Sequence, residues 1–307
     1  MKLKVNDLHD LVISIHILPY ELEEYRRIIH QLNTSIKYIR KSDDVVIHST
    51  LNLNDKLTDW NNSKFPREQA IDLYETINSN SIYKNSLHEL NSEMLGVDDH
   101  RRHSIQIYKQ LTKNISYLDC DLYFNEQHLG YMLSGIKKVS VLSEYYILTP
   151  QVVRLWDNTW DCLVNEQYKA HSYKFHKTTD PLSIINKHHG KVNIQPINRF
   201  KWSGGWFNGF SMNLVSLVGI PDTFIGYGLD DTYLMRCSES MRKYHYSIRQ
   251  YILKNSVVME NHTDTNESFK NNFKINDIRT ELLKQTNINY KNECNLFLSK
   301  LKRTPYI

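Results

Sequence analysis

Apolar and polar positions change their spacing several times along the chain, and each change marks an element. The β-branched run from Leu11 to Leu18 is long enough for one buried strand, and Pro19 stops it. From Glu21 to Leu32 the apolar residues fall at Leu22, Tyr25, Ile28, Ile29 and Leu32, which is the stripe of an amphipathic helix. A second strand is predicted over Asp44–His48. Residues 52–100 turn polar and rich in Asn and Ser, with a helical patch over Arg67–Ile77, and read as a helical insertion. A helix over Ser104–Leu111 and a strand over Ile115–Leu118 follow, and that strand delivers Asp119-Cys120-Asp121 at its carboxyl end. Leu214–Val218 reads as a helix closed by Gly219 and kept from continuing by Pro221. A last strand fits Tyr251–Met259, and helical patches near Ile278–Leu283 and Leu296–Leu301 lie in an Asn- and Lys-rich tail. Strand, helix, strand with acids at a strand end is the arrangement of an open α/β sheet, whose ligands sit outside the carboxyl ends of its strands.

Composition narrows the class. The 307 residues are 40% hydrophobic and 23% charged, enough apolar material for a sizeable core, which excludes wholesale disorder. A net charge of +4 is too mild for a histone-like polycation and leaves room for a local basic surface. No stretch approaches the roughly 18 apolar residues of a membrane span, and Met1–Asp7 lacks the apolar core of a signal peptide. Cys120, Cys162, Cys237 and Cys294 are far apart and form no CxxC pair, so they read as free thiols. A soluble cytoplasmic protein is expected. Charge concentrates in one place: residues 169–201 hold seven Lys or Arg and four His against the single acid Asp180.

Two stretches carry chemistry. Asp119 and Asp121, two residues apart at a strand end, can turn toward one hard cation, and such oxygen ligands suit Mg²⁺ or Mn²⁺. Taken alone the pair is also an ordinary polar strand exit. The second stretch runs from Trp202 to Arg236, and its part from Trp202 to Gly228 is the most glycine-dense of the chain. Gly204 and Gly205 permit close backbone approach to a ligand, and Gly226-Tyr227-Gly228 is a tight loop carrying an aromatic ring. Asp230-Asp231 follows at once and enters a helix, whose positive N-terminus favours ionised carboxylates. Alone, such a pair more often serves as helix-capping acids.

Together the stretches resemble the glycosyltransferases of the GT-A fold, in particular inverting family 2 and β-1,4-galactosyltransferase-like enzymes. Gly204-Gly205, Val218-Gly219-Ile220-Pro221-Asp222 and Gly226-Tyr227-Gly228-Leu229-Asp230-Asp231 match that family's order, and Asp119-Cys120-Asp121 stands where its DxD does. The resemblance covers roughly residues 10–265. It implies a GT-A domain over 1–265 and a helical tail over 266–307.

By that resemblance, the activity is metal-dependent inverting transfer of a hexose from a nucleotide sugar, a UDP-sugar above all, to an acceptor hydroxyl. Asp121 would ligate Mn²⁺ or Mg²⁺, with Asp119 on the ion or the ribose and His262 as a third ligand; His245 is the alternative histidine. Gly204 and Gly205 would line the donor. Asp231 would be the base, Asp230 would hold an acceptor hydroxyl, and Tyr227 and Trp206 would lie against the acceptor. One departure concerns the second strand, which ends on His48-Ser49-Thr50 rather than on a base-reading Asp; Asp43 and Asp44 stand at its other end. His16, near the end of the first strand, reads as a nucleotide-site residue or a satisfied core histidine. For the acceptor, the 169–201 stretch, with Trp156, Asp157, Trp160 and Asp161 upstream, is a solvated loop over buried tryptophans or a surface for something anionic. A bacterial surface glycan and phage-type duplex DNA with a hydroxymethylated base both qualify. The competing class is a sugar- or nucleic-acid-binding protein on the same scaffold without activity.

Overall fold

Strand β1 (Leu11–Ile17) shows how the sheet is built. Its side chains alternate between two buried faces: Leu11, Ile13, Ile15 and Ile17 join one apolar cluster, while Val12 joins another. Ser14 and His16 share the second face with Val12, so that face turns polar toward the strand's carboxyl end. Helices cover both faces, which is why the strand is nearly continuously apolar. The computed structural model describes residues 8–39, 44–154, 191–198, 200, 204–244, 246–260 and 273–303.

In chain order the remaining elements are α1 (Leu22–Ser35), β2 (Val45–Asn52), α2 (Arg67–Ser79), β3 (Ser86–Asn91), α3 (Val97–Tyr108), β4 (Asn114–Leu118), β5 (Leu122–Phe124) and α4 (His128–Val139). They continue with β6 (Tyr145–Arg154), β7 (Ile194–Pro196), β8 (Trp206–Ser211), α5 (Met212–Val218), α6 (Asp230–Lys243), β9 (Ile248–Glu260) and α7 (Phe273–Arg303). Among the described residues the strands form one mixed sheet in the order β3-β2-β1-β4-β8-β6-β9-β5, with β7 also on β9. β3, β2, β1 and β4 are parallel neighbours, β8 runs antiparallel between β4 and β6, and β6 and β9 are parallel. Apolar side chains of α1, α2 and α4 form the core on one face, and those of α3, α5, α6 and α7 form the core on the other. The architecture is therefore the expected α/β class, a mixed central sheet flanked by helices.

Two expectations change. Residues 52–100, read as a polar helical insertion, carry α2 as predicted but also β3, which pairs in parallel with β2 from Ser86 to Asn91. β3 is an edge strand only half buried, so its sequence, Ser-Leu-His-Glu-Leu-Asn, lacks the apolar run that marks a central strand. The tail's two helical patches belong to the single 31-residue helix α7, and its Phe297 and Leu301 are buried in the second core. The sequence pattern marks no counterpart to β5, α4, β6, β7 and β8; for the elements it does predict, the remaining differences are at element ends, since β2 continues to Asn52 and α3 begins at Val97 rather than near Ser104.

Candidate active site

A cleft of about 360 Å³ opens at the carboxyl ends of β1, β4 and β9. β4 ends at Leu118 and hands the chain to Asp119. β8 starts at the same end, because Leu118 pairs with Trp206 and the Asp119 N–H donates to the Gly205 carbonyl at 3.0 Å. The register slips between Tyr117 and Leu118, leaving Phe207 as the extra residue of a bulge with φ 54°. Arg27 of α1 donates to the carbonyls of Cys120 and Leu122 at 2.8 and 2.6 Å, and so fixes the turn that carries Asp121. β5 then pairs antiparallel with the last residues of β9, Leu122 opposite Glu260, which sets Glu260 beside the Asp121 turn at the cleft wall.

The acid pair arrives from the other side. Asp230 and Asp231 open α6, preceded by Leu229 in the left-handed region at φ 67°. Such a conformation in a bulky residue persists only when its surroundings impose it. The imposing contact is α3, whose N-terminus docks on the Gly226-Tyr227-Gly228 loop: Asp98 N–H donates to the Gly226 carbonyl, and Gly228 N–H donates to Asp98 Oδ1. Gly226 allows this docking, since a Cβ there would stand 2.5 Å from the Leu95 carbonyl oxygen.

The two acidic motifs, about 110 residues apart in sequence, meet over the glycine pair. A Cβ on Gly205 would stand 2.0 Å from Asp119 Oδ2, and one on Gly204 would stand 2.9 Å from Asp231 Oδ2. The space that side chains would fill is thus occupied by the carboxylates. Arg101, on α3, ties the motifs together: it donates to Asp230 Oδ2 at 2.7 Å and to Asp119 Oδ1 at 3.1 Å. Burial works against its charge, but Asp230 and Asp119 outweigh burial and hold its pKa above the ordinary value. Gly205→Ala is accordingly expected to displace the Asp119 carboxylate from Arg101. Asp119 is one of the oxygen donors that suit a divalent cation, and disturbing what positions a metal ligand costs about 10–100-fold, so cation-dependent nucleotide affinity should drop roughly tenfold or more. Calorimetric titration of the variant checks this.

Electrostatics decides what the cleft can hold. Glu21, Asp119, Asp121, Asp230, Asp231 and Glu260 line it against two guanidiniums, Arg101 and Arg279. Burial raises the Asp121 pKa well above the usual carboxylate range, and the neighbouring Glu260, Asp119 and Glu21 add to the shift. Burial raises Asp231 to about 7, reinforced by Asp230 and opposed by Arg101. Carboxyl groups crowded in this way take their full charge when a cation enters among them, and an anion such as a diphosphate needs that cation to sit beside them. Asp119, Asp121 and Glu260 supply hard oxygen donors of the kind Mg²⁺ or Mn²⁺ takes. The residues therefore fit the expected divalent ion, although the described His, Cys, Asp and Glu atoms that already converge within 4.8 Å in a group of three are elsewhere, at His48, Glu89 and His103.

The predicted site residues that the structure describes gather in one place. Asp119, Asp121, Gly204, Gly205, Trp206, Tyr227, Asp230 and Asp231 all line the one cleft. Asp230 is 5% exposed and already engaged by Arg101, which leaves it little to offer an acceptor hydroxyl. Trp206 is 2% exposed and packs in the first core, so only a small part of its ring reaches the cleft. Tyr227 carries the Arg279 guanidinium over its ring, 4.6 Å from the centroid. His16 lines the cleft and meets Asn52 Nδ2 at 3.1 Å; burial, then the charges of Arg279 and Arg101, lower its pKa to about 3, so it is a neutral imidazole. His262, His245, Trp156, Asp157, Trp160, Asp161 and residues 169–190 of the basic stretch lie outside the described residues.

Arg101, Arg279 and Glu260 are site residues that the sequence reading passes over. Arg101 had a signal: Asp98, Arg101, Ile105 and Tyr108 share one buried stripe of α3, and a charge on such a stripe demands a partner. Glu260 stands two residues before His262, at the end of the predicted strand. Arg279 lies in the tail, beyond the motifs that carry the resemblance.

No family model matches the chain, and no curated protein matches it. Among solved structures it is similar to GalNAc-T7, crystallised with UDP, GalNAc and Mn²⁺, at 13% identity and a TM-score of 0.46. The likeness covers 83% of this chain and 44% of that one, so the chain spans less than half the length of its structural neighbour. Among the described residues, no helix is long and apolar enough to cross a membrane.

Proposed function

We propose that the protein is a metal-dependent glycosyltransferase that moves a hexose from a nucleotide sugar, a UDP-sugar in the first instance, to an acceptor hydroxyl with inversion. One observation carries this reading: Asp119 and Asp231, from motifs about 110 residues apart, stand over adjacent glycines in one cleft at the strands' carboxyl ends. That arrangement offers a charged wall for the donor's phosphates and a separate carboxylate for the incoming hydroxyl. Asp119, Asp121 and Glu260 would hold Mn²⁺ or Mg²⁺. When bound, the ion supplies positive charge to the leaving diphosphate.

The chain's own residues account for the rest. Arg279, beside Tyr227 at the cleft wall, offers a guanidinium to the same phosphates. Thr232 donates to Asp231 Oδ1 from its backbone N–H and its hydroxyl, which fixes the carboxyl group and leaves Oδ2 toward Gly204. Oδ2 takes the proton of the acceptor hydroxyl as its oxygen bonds the anomeric carbon. The bond from that carbon to the phosphate oxygen breaks at the same time, and its electron pair leaves with the diphosphate. Attack from the face opposite the leaving group inverts the anomeric centre, through an oxocarbenium-like transition state. Arg101 holds Asp119 and Asp230 in place and keeps like charges around Asp231 from pushing its pKa higher.

A base acts only when deprotonated. With Asp231 at about 7, kcat/KM should fall about tenfold per unit as pH drops below 7 and level off above it. A flat profile between pH 5 and 8 removes Asp231 from the role. The broader reading is tested by calorimetric titration with UDP and other nucleoside diphosphates. Binding is expected with Mn²⁺ or Mg²⁺ present and not with chelator, and binding that ignores the metal contradicts it. Hydroxymethylated duplex DNA and anionic glycans belong in the acceptor panel, since salt-sensitive DNA binding separates the two acceptor classes.

A further inference from the structure

On the α3-covered face of the sheet, at its β3 edge, three side chains converge with no part in the cleft chemistry. His48 projects from β2, Glu89 from β3 and His103 from α3. Glu89 Oε2 lies 2.8 Å from His48 Nε2 and 3.1 Å from His103 Nε2. Among the described residues this is the one trio of His, Cys, Asp or Glu whose ligand atoms all fall within 4.8 Å of one another. The strand register explains the meeting: His48 pairs with Leu87 and Thr50 with Glu89, so His48 and Glu89 are diagonal neighbours on one face. α3 crosses that face and brings His103 to the same Glu89 oxygen.

We propose that this trio is a binding site for a zinc-class divalent cation, which pins α3 to the edge of the sheet. Two imidazole nitrogens and one carboxylate are the ligands that zinc takes, whereas Mg²⁺ and Mn²⁺ prefer sites built of oxygen alone. The spacing is close to what is needed. Bonds of about 2.05 Å at tetrahedral angles put ligand atoms roughly 3.3 Å apart, so Glu89 Oε2 needs to withdraw from each nitrogen by only a few tenths of an ångström, and the two imidazole nitrogens already lie within 4.8 Å of one another. It has that freedom, since its side chain is 29% exposed on an edge strand.

The surroundings also match. Metal-bound imidazoles are held in place through their second nitrogen. His48 is fully buried, and its Nδ1 sits 3.0 Å from Ser104 Oγ, which continues through Ser14 Oγ at 2.8 Å to His100 Nε2 at 2.8 Å. Hydroxyl hydrogens rotate, so Ser104 Oγ can accept a hydrogen bond from His48 Nδ1–H once Nε2 faces a cation. His103 is 36% exposed, which gives an ion an entry path and leaves a fourth position for water. The consequence reaches the cleft by position alone: His103 and Arg101 share one turn of α3, so the helix that presents Arg101 is the one the cation would anchor.

The test uses the whole chain, stripped with chelator and titrated with Co²⁺ and then Zn²⁺. One Co²⁺ per chain should bind with the intense visible d–d absorption of a nitrogen-ligated, four-coordinate ion, whatever the oxygen-lined cleft also takes up, and Zn²⁺ should displace it and raise the Tm. His103→Ala and Glu89→Gln should each weaken Zn²⁺ binding by more than the roughly 10–100-fold that losing an outer partner costs. Asp121→Asn should leave that binding unchanged, which separates this site from the cleft and from the transferase reading. Absence of Co²⁺ bands in the wild-type chain overturns the proposal, and so do equal Zn²⁺ affinities in the wild type and in folded His103→Ala or Glu89→Gln.

Discussion

Asp231→Asn is expected to lower turnover by about 10²–10⁴-fold while leaving nucleotide affinity within about twofold of wild type. The asymmetry follows from where the group stands. Asp231 is on the α6 side of the cleft, with Oδ2 toward Gly204, whereas the donor's phosphates are assigned to Asp119, Asp121 and Glu260. Asn keeps an oxygen for the two Thr232 donors, so the first turn of α6 should stay as it is. What it loses is the ability to accept a proton near neutral pH. The variant also removes a negative charge facing Arg101, which acts to strengthen anion binding slightly rather than weaken it. A parallel drop in affinity and turnover would mean that Asp231 binds donor instead of activating the acceptor. Steady-state kinetics alongside titration with UDP and Mn²⁺ distinguishes the two.

Arg101→Met should be the most damaging single change to the fold around the site. Arg101 and Asp230 side chains are each 6% exposed, so their charges have exchanged water for one another. Removing one partner of a buried pair leaves the other uncompensated and costs about 3–5 kcal/mol. That is a large share of the roughly 5–15 kcal/mol that holds a typical domain folded. Asp119 loses a partner as well, though its side chain is 41% exposed and water can replace the guanidinium there. The cost should therefore come from Asp230, which gives a second test: Arg101→Met combined with Asp230→Leu should recover most of the stability but none of the cation-dependent nucleotide binding. Denaturant midpoints for the single and double variants check this. A single variant as stable as the wild type would contradict the buried pair's role.

The parts of this fold legible in the sequence are those where local pattern and burial agree. The β-branched run of β1, the 3.6-residue stripe of α1 and the glycine stop after α5 each specify an element without help from the rest of the chain. β3 is the opposite case. It is exposed along one edge and takes its identity from pairing with β2, so no apolar run announces it. The same distinction divides the site. Asp119, Asp121, Asp230 and Asp231 stand in short motifs next to glycines and are visible as such. Arg101, Glu260 and Arg279 each enter from a different element, and only the topology brings them to the cleft. Trp206 shows the converse: a tryptophan beside a glycine pair looks available for stacking, yet the bulge at Phe207 and the pairing with Leu118 set it in the core. His48 and Glu89 become neighbours only when β2 and β3 pair, and no spacing in the sequence encodes that.

The central claim is that the two acidic motifs form one cation-dependent transferase site, and nucleotide release from a panel of nucleotide sugars without acceptor tests it most directly. With Mn²⁺ or Mg²⁺ present, slow hydrolysis of one donor is expected, abolished by chelator and by Asp121→Asn. If every donor stays intact with either metal, and none binds in a parallel titration, the cleft is not a glycosyltransferase site.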